Sequence, residues 1–296
     1  ARVSAGVSYT GGMTTPGGLR WGPVLDLRHD EYHLSSLLTS GDAVNISRDL
    51  ATAGVKVSYP LLRKFSGATV VVEPIGEFLV SPDAQQSPYQ PNEDSQSVEF
   101  DETTLFAVDK APGFDVYEGG ARANLGLRTS VTFKSGRSFD LLVGRTLRNK
   151  PEQQFLKTVT YSGTTYSYDP SGLGNKNSDW IVDSSFVLSK SLNGYERLRL
   201  DSDSLRPVQG EFGMSAFSSK TQATLRYIFN DVLTTPVLAP NGKLKVFGDN
   251  YRDFQLYAQH FFTKNWGVSA RRDRDLVNNT WRRSTVSLIY KNDCIW

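Results

Sequence analysis

The feature that most limits what this chain can become is the alternation between Gly119 and Lys134. Ala121, Ala123, Leu125, Leu127, Val131 and Phe133 share one parity, interrupted only by Thr129, while Arg122, Asn124, Arg128, Ser130, Thr132 and Lys134 take the other. Successive side chains of a strand point to opposite faces, so this period of two describes a strand with one apolar and one polar side. Soluble strands usually run about five or six residues, whereas a tilted strand crossing a bilayer needs about nine to eleven. This segment is long enough to span.

The pattern recurs with the same dimensions. It marks Val3 to Tyr9, Ala51 to Tyr59, Val70 to Val80, Phe139 to Leu147, Trp180 to Leu188, Val208 to Ala216, Ala223 to Phe229, Phe254 to Phe262, Trp266 to Ala270 and Val286 to Tyr290, with weaker strands at Leu25–Leu27 and Leu198–Leu200. About thirteen strands are expected, an all-β antiparallel set with the period of a transmembrane barrel. No window holds an apolar stripe at three-and-four spacing beyond about two turns, so helix is a minor element. No apolar run approaches the roughly eighteen residues of a spanning helix, a test that alternating barrel strands never meet. Thirteen Tyr and sixteen Phe beside two Met lean the same way.

Connection lengths alternate. Tight links are expected around Leu61 to Lys64, Ser135-Gly136, Leu192 to Gly194, Ser218-Ser219 and Lys264-Asn265, and long ones at Ser35 to Leu50, Ser81 to Glu118, Asn149 to Ser178 and Asn230 to Tyr251. An antiparallel meander puts every second connection at one end, and outer-membrane barrels keep short turns inside and long loops outside. The link Gly11 to Gly22 and the short links near Ser204 to Arg206 and Asn278-Asn279 depart from the rule. Tyr9, Tyr59, Phe65, Phe78, Phe133, Trp180, Phe229, Trp266 and Tyr290 fall near strand ends, where rings suit the headgroup level; ordinary strand composition is the competing explanation.

If the apolar parity meets lipid, the other lines a lumen with Arg2, Glu73, Glu77, Arg122, Arg128, Asp140, Arg148, Arg197, Arg199, Asp201, Arg226 and Arg271. Guanidinium forks there suit phosphate or carboxylate cargo, and Arg122, Arg128, Arg148, Arg197, Arg199, Arg226 and Arg271 are the cargo-facing candidates; mutual pairing across strands is the plainer alternative. Catalytic residues do not assemble. His29-Asp30-Glu31-Tyr32-His33 lacks the helix and Glu placement of a zinc-protease motif, and His260 has no nucleophile nearby. The acidic stretch Asn92-Glu93-Asp94 with Glu99, Asp101 and Glu102 misses the calcium-loop spacing. No enzyme activity, no metal and no cofactor are therefore expected.

The formal charge of +2 over 296 residues gives no ground for a nucleic-acid partner. The basic cluster Arg271-Arg272-Asp273-Arg274 with Arg282-Arg283 fits an anionic surface glycolipid better. Ala1-Arg2-Val3-Ser4 opens no signal-peptide pattern. Cys294 is the one cysteine; in a cytosolic protein it would be an inert thiol, in an exported one a residue in need of a partner.

One ordered run of motifs carries a resemblance. It begins with Val72-Glu73-Pro74 and passes through Pro91-Asn92-Glu93-Asp94-Ser95, Phe100 to Phe106 with Leu105, and Pro112-Gly113-Phe114-Asp115. It continues in Glu118-Gly119-Gly120, Leu125-Gly126-Leu127 and Leu142-Val143-Gly144-Arg145 to Ser178-Asp179. From about Gly17 to Cys294 the chain resembles the LptD (OstA) family of lipopolysaccharide-assembly outer-membrane proteins. The motif loop is marked by Pro91, Asn92, Asp94, Leu105, Phe106, Gly113 and Asp115. The resemblance implies an integral outer-membrane barrel that takes lipopolysaccharide from a periplasmic Lpt bridge and releases it to the outer leaflet through a lateral opening, without chemistry. It implies an LptE-type plug lipoprotein as partner, besides lipopolysaccharide and membrane lipid. It implies that residues 1–296 are one domain, roughly the C-terminal half of a larger barrel, lacking the periplasmic jelly-roll domain and the first strands. It also gives Cys294 a disulfide partner in that missing part. A passive porin-like barrel and a soluble β-rich binding module remain the alternatives that the strand pattern alone leaves open.

Overall fold

The computed structural model describes residues 1–35, 44–83, 90–161, 164–232, 236–238, 244–246 and 251–292. The strands are β1 (Arg2–Thr10), β2 (Met13–Thr14), β3 (Arg20–Leu34), β4 (Val44–Ser58), β5 (Leu61–Lys64), β6 (Ala68–Ser81), β7 (Gly120–Phe133), β8 (Ser138–Arg148), β9 (Lys157–Tyr161) and β10 (Thr164–Tyr168). They continue as β11 (Trp180–Ser189), β12 (Leu192–Leu200), β13 (Pro207–Phe217), β14 (Thr221–Asn230), β15 (Pro236–Leu238), β16 (Leu244–Val246), β17 (Tyr251–Phe261), β18 (Trp266–Asp275) and β19 (Thr280–Tyr290). One 3-10 turn, Gln153–Phe155, is the helical element among the described residues.

Fifteen strands form one antiparallel sheet whose main path is β1-β3-β4-β6-β7-β8-β11-β12-β13-β14-β17-β18-β19, with β2 beside β3 and β5 beside β6. That path has the thirteen strands expected from the alternation. The sheet is not closed: among the described residues β1 pairs only with β3, and β19 only with β18. β9–β10 and β15–β16 are separate two-stranded ribbons within long links.

Register sorts the side chains. In the row Ile75, Gly126, Gly144, Ile181, Arg199, Gln209, Asn230 and Tyr251, each residue stands opposite the next, so all share one face. Rows one residue away carry the other parity, and there the large apolar side chains are open: Val3, Leu27, Phe78, Leu127, Leu225, Leu256, Val268, Val286 and Leu288 are all exposed. A face this apolar and this open is the surface that a barrel turns to lipid.

Three expectations about boundaries need correction. Leu61–Lys64 is not a turn but strand β5, which continues the ladder of β4 against β6: Ser58 faces Ile75 and Leu61 faces Val72 with no register slip, and the turn lies at 65–67. Pro60 breaks the hydrogen bonding, since it has no N–H, without ending the strand. Leu192 to Gly194 starts β12 and the turn falls just before it. Val44–Leu50 belongs to β4, not to a loop. The strands β3 and β4 run fifteen residues each, longer than an apolar band requires, and their far ends carry polar residues on both faces.

Candidate functional site

The polar face is not empty. The link from β6 to β7, described over 82–83 and 90–119, folds back onto it through residues 90–119, and so does the link from β8 to β11. Phe100, Leu105, Ala111 and Val116 of the first link and Phe155 and Leu173 of the second bury together against Leu142 and Ile181 of the sheet. Leu105 and Leu173 are fully enclosed. The seat for them is cut into the sheet by Gly126 and Gly144, which stand opposite each other. A Cβ on Gly126 would lie 2.7 Å from the Phe106 ring, and one on Gly144 would lie 2.5 Å from Leu105. Each large side chain so buried contributes about 1.5–3 kcal/mol.

Polar contacts fix the rest of the first link. Asn92 forms a local turn in which its Oδ1 accepts from the Ser95 N–H at 3.0 Å. Asp94 accepts the backbone N–H groups of Phe114 and Asp115, both at 3.0 Å. Asp115 accepts those of Glu93 at 2.8 Å and Asp94 at 3.2 Å. Arg2 of β1 reaches both carboxylates at 2.7 Å, and Tyr32 of β3 donates to Asp115 at 3.0 Å. Burial works against ionisation of Asp94, but the donors from Asp115, Arg2, Phe114 and Ser95 outweigh it and hold the carboxyl well below its ordinary range. Gly113 has φ +74, and a Cβ there would sit 2.3 Å from the Asp94 carboxyl carbon, so only glycine fits. Pro91 stands just before, beside Arg2 and Tyr32.

Beneath this brace is a buried charge cluster. Glu118 lies within 3.6 Å of both Lys110 and Arg122 and is hydrogen-bonded to Arg148. Lys110 also donates to Asn124 at 2.9 Å, and Asn124 to Glu77 at 2.7 Å. Burial lowers the Lys110 ammonium to about 8, with Glu118 opposing the shift. Burial would raise Glu118, but Lys110, Arg148 and Arg122 together hold its carboxyl low. At Asp109 the balance goes the other way: burial, then the neighbouring Glu118 charge, pushes it up to about 7, against the Ala111 N–H and the charges of Arg122 and Arg28.

The seven arginines read from the sequence all lie on this polar face, and they divide. Arg122 and Arg148 are enclosed by the charge cluster, and Arg122 also donates to the carbonyls of Glu118 and Val108. Arg199 donates to the carbonyls of Ser171 at 2.8 Å and Pro170 at 2.9 Å, fastening the second link. Arg197 pairs with Glu102 at 3.0 Å, Arg226 forks onto Glu211 at 2.6 and 2.7 Å, and Arg271 pairs with Asp273 at 3.0 Å, all remaining partly exposed. Arg128, also exposed, makes no ion pair among the described residues. A cavity of about 340 Å³ remains between Glu99–Glu102 and the wall of Arg197, Arg199, Glu211 and Tyr251. Sequence reasoning did not find Lys110, Glu118 or Asn124 as pins. The signal available was an isolated Lys between two acidic residues in a stretch without periodicity.

His29 lies on the apolar face and is shared by Asp49 at 2.7 Å and Glu31 at 3.1 Å, while His33 meets Asn45 at 2.7 Å. Among the described residues no group of three or more His, Cys, Asp or Glu is arranged to hold a metal ion. Cys294 lies outside the described residues.

A one-sheet antiparallel wall, apolar and open on one face, polar and packed with its own long links on the other, defines an outer-membrane β-barrel protein. The family model for LptD, described as LPS transport system D, matches residues 1–266, and the chain belongs to that family. LptD proteins are outer-membrane barrels of lipopolysaccharide transport and assembly, not an enzyme family, and this chain's role lies there, together with the Lpt system. None of the curated proteins compared matches the chain.

Proposed function

We propose that this chain forms part of the wall and the built-in stopper of the path along which lipopolysaccharide crosses to the outer leaflet. In this reading residues 1–296 are one domain of a larger barrel. Saccharide and phosphate travel along the polar face past Arg128, Arg197, Arg226 and Arg271, which keep guanidinium groups in water, while Arg122, Arg148 and Arg199 hold the stopper. Acyl chains leave sideways between the first and last strands of the complete barrel. An LptE-type lipoprotein fills the rest of the lumen, the periplasmic Lpt bridge delivers cargo through a preceding domain, and Cys294 bonds to that domain. No covalent step on the cargo is involved. The observation that carries the reading is the seating of two long links on the polar face of a sheet that belongs to the lipopolysaccharide-transport family.

The test is site-specific photo-crosslinking in cells, in the full-length protein. A photoreactive residue at Arg226 or Arg271 is expected to capture lipopolysaccharide during transport, and one at Leu127, on the opposite face of the sheet, to capture it no more than bulk lipid does. Ongoing delivery to the surface with no adduct at either arginine position would overturn the path.

A further inference from the structure

The basic cluster near the β18–β19 turn is divided between the two faces. Arg271 and Arg283 turn to the polar face with Asp273, and Arg282 pairs with Asp275 at 2.9 Å. Arg272 and Arg274 stand on the apolar face, in register with Leu256 and Phe254 of β17 and with Ser284 and Trp281 of β19. Both guanidinium groups lie over the same indole: Arg272 is 4.1 Å and Arg274 5.2 Å from the Trp281 ring centroid. Arg272 has its Nε 3.4 Å from Ser284 Oγ, and Arg274 bonds Asn279. Among the described residues neither meets a carboxylate. Further along the same face, on β13 and β14, Phe212, Tyr227 and Phe229 stack at 6.0 to 6.4 Å between centroids.

Two unneutralised cations on a lipid-facing wall call for an anion from the lipid side. Depth supports this. From Trp266, which packs on Tyr290 with ring centroids 4.8 Å apart at the short-turn end, to Arg274 is eight residues of β18. That is about 27 Å of strand, or roughly 20 Å of membrane depth after barrel tilt, close to the ~25 Å apolar band. Arg274 therefore stands near where the hydrocarbon ends and headgroups begin, at the end that carries the long links, and Arg272 two residues deeper has a side chain long enough to extend its guanidinium toward the same level. In outer-membrane barrels that end is external.

We propose that Arg272, Arg274 and Trp281 form a binding site on the outer wall for the phosphate of a membrane glycolipid, the lipopolysaccharide of the external leaflet. The indole holds both guanidinium groups in place, the two forks receive phosphate oxygens, and Val268, Val286 and Leu288 below them receive acyl chain. The site lies on the opposite face of the sheet from the transport path, and its orientation rests on the family reading above.

The experiment uses the full-length protein in membranes holding lipopolysaccharide, with a photoreactive residue at Ser284 for the wall and, separately, at Gln255 for the polar face. Adducts at Ser284 are expected, falling at least about fivefold in Arg272→Gln/Arg274→Gln and in Trp281→Leu, and falling likewise when the lipid is enzymatically dephosphorylated. Surface delivery and the Gln255 adduct are expected to be unchanged in these variants. Adducts at Gln255 without any at Ser284, or adducts at Ser284 indifferent to both substitution and dephosphorylation, would overturn the wall site and leave the transport reading standing. Loss of both adducts in the unsubstituted protein overturns the transport reading and the wall site with it.

Discussion

Asp94 and Asp115 cap each other's backbone. Each carboxylate accepts two N–H groups from the stretch around the other, and Arg2 from β1 joins both. Residues twenty-one apart are thereby closed into a loop whose two ends are one rigid unit, fastened to the first strand of the sheet.

Removing one carboxylate should therefore open both ends. Hydrogen bonds to a charged acceptor are worth about 1.5–3 kcal/mol each, so Asp115→Ala is expected to lower the loop's opening free energy by about 3 kcal/mol and speed exchange of the Glu93 and Asp94 amides ~100-fold. Hydrogen exchange by mass spectrometry on the purified barrel reads this directly. Unchanged exchange across 90–96 would show that the apolar seat alone holds the loop.

The loop's hold should vary with pH through Asp109. Its folded pKa of about 7 lies above the ordinary value of 3.8, so the folded state binds the extra proton in between. The contribution is fully present below pH 4 and is lost as pH rises through 7, a loss of at most about 4 kcal/mol at ~1.4 kcal/mol per unit. Protection of the loop from protease is expected to be greater at pH 5 than at pH 8. Asp109→Asn, which stays neutral, should flatten that difference; an equal pH response in the variant would assign it to another group.

The sheet was legible because one requirement, alternate burial in two solvents, writes a period of two into every spanning strand. The weaker expectations at Leu25–Leu27 and Leu198–Leu200 mark places where that requirement relaxes: β3 runs past the apolar band into His29, Glu31 and His33, and β12 places Glu196 on the apolar face. The stopper was not legible as structure. Its residues answer to single partners, such as Phe106 to Gly126 and Lys110 to Glu118, and such pairings leave no period. Resemblance marked Asp94, Gly113 and Asp115 without saying what they hold. The arginines were found by parity, yet parity cannot distinguish Arg122, spent on a loop, from Arg226, still reached by water.

The glycine seat gives a separable test of stopper and wall. Gly126→Ala places a methyl 2.7 Å from the Phe106 ring, and overpacking of this kind costs about 1–3 kcal/mol. The barrel is expected to remain heat-modifiable on gels while cells admit large antibiotics that the wild type excludes. Phe106→Ala in the same background removes the clash, so the two changes together should be less harmful than their sum. Strict additivity would mean that Phe106 does not occupy the Gly126 seat in the membrane.

The charge cluster makes the sharpest demand. Among the described residues Glu118 is the one carboxylate that forms ion pairs with Lys110, Arg122 and Arg148, all three buried. Removing one partner of a buried ion group costs about 3–5 kcal/mol because the others keep their charge without compensation, whereas removing both partners can be nearly neutral. Glu118→Gln should therefore expose 90–119 to proteinase K on an otherwise assembled barrel. Lys110 is the cation whose charge is easiest to give up, since burial already lowers it to about 8. Lys110→Met added to Glu118→Gln removes one of the three uncompensated charges, leaves Arg122 its bonds to the loop carbonyls, and should restore part of the protection. If the double variant is cleaved as fast as the single one, the loop is held by the count of hydrogen bonds to Glu118 and not by charge balance.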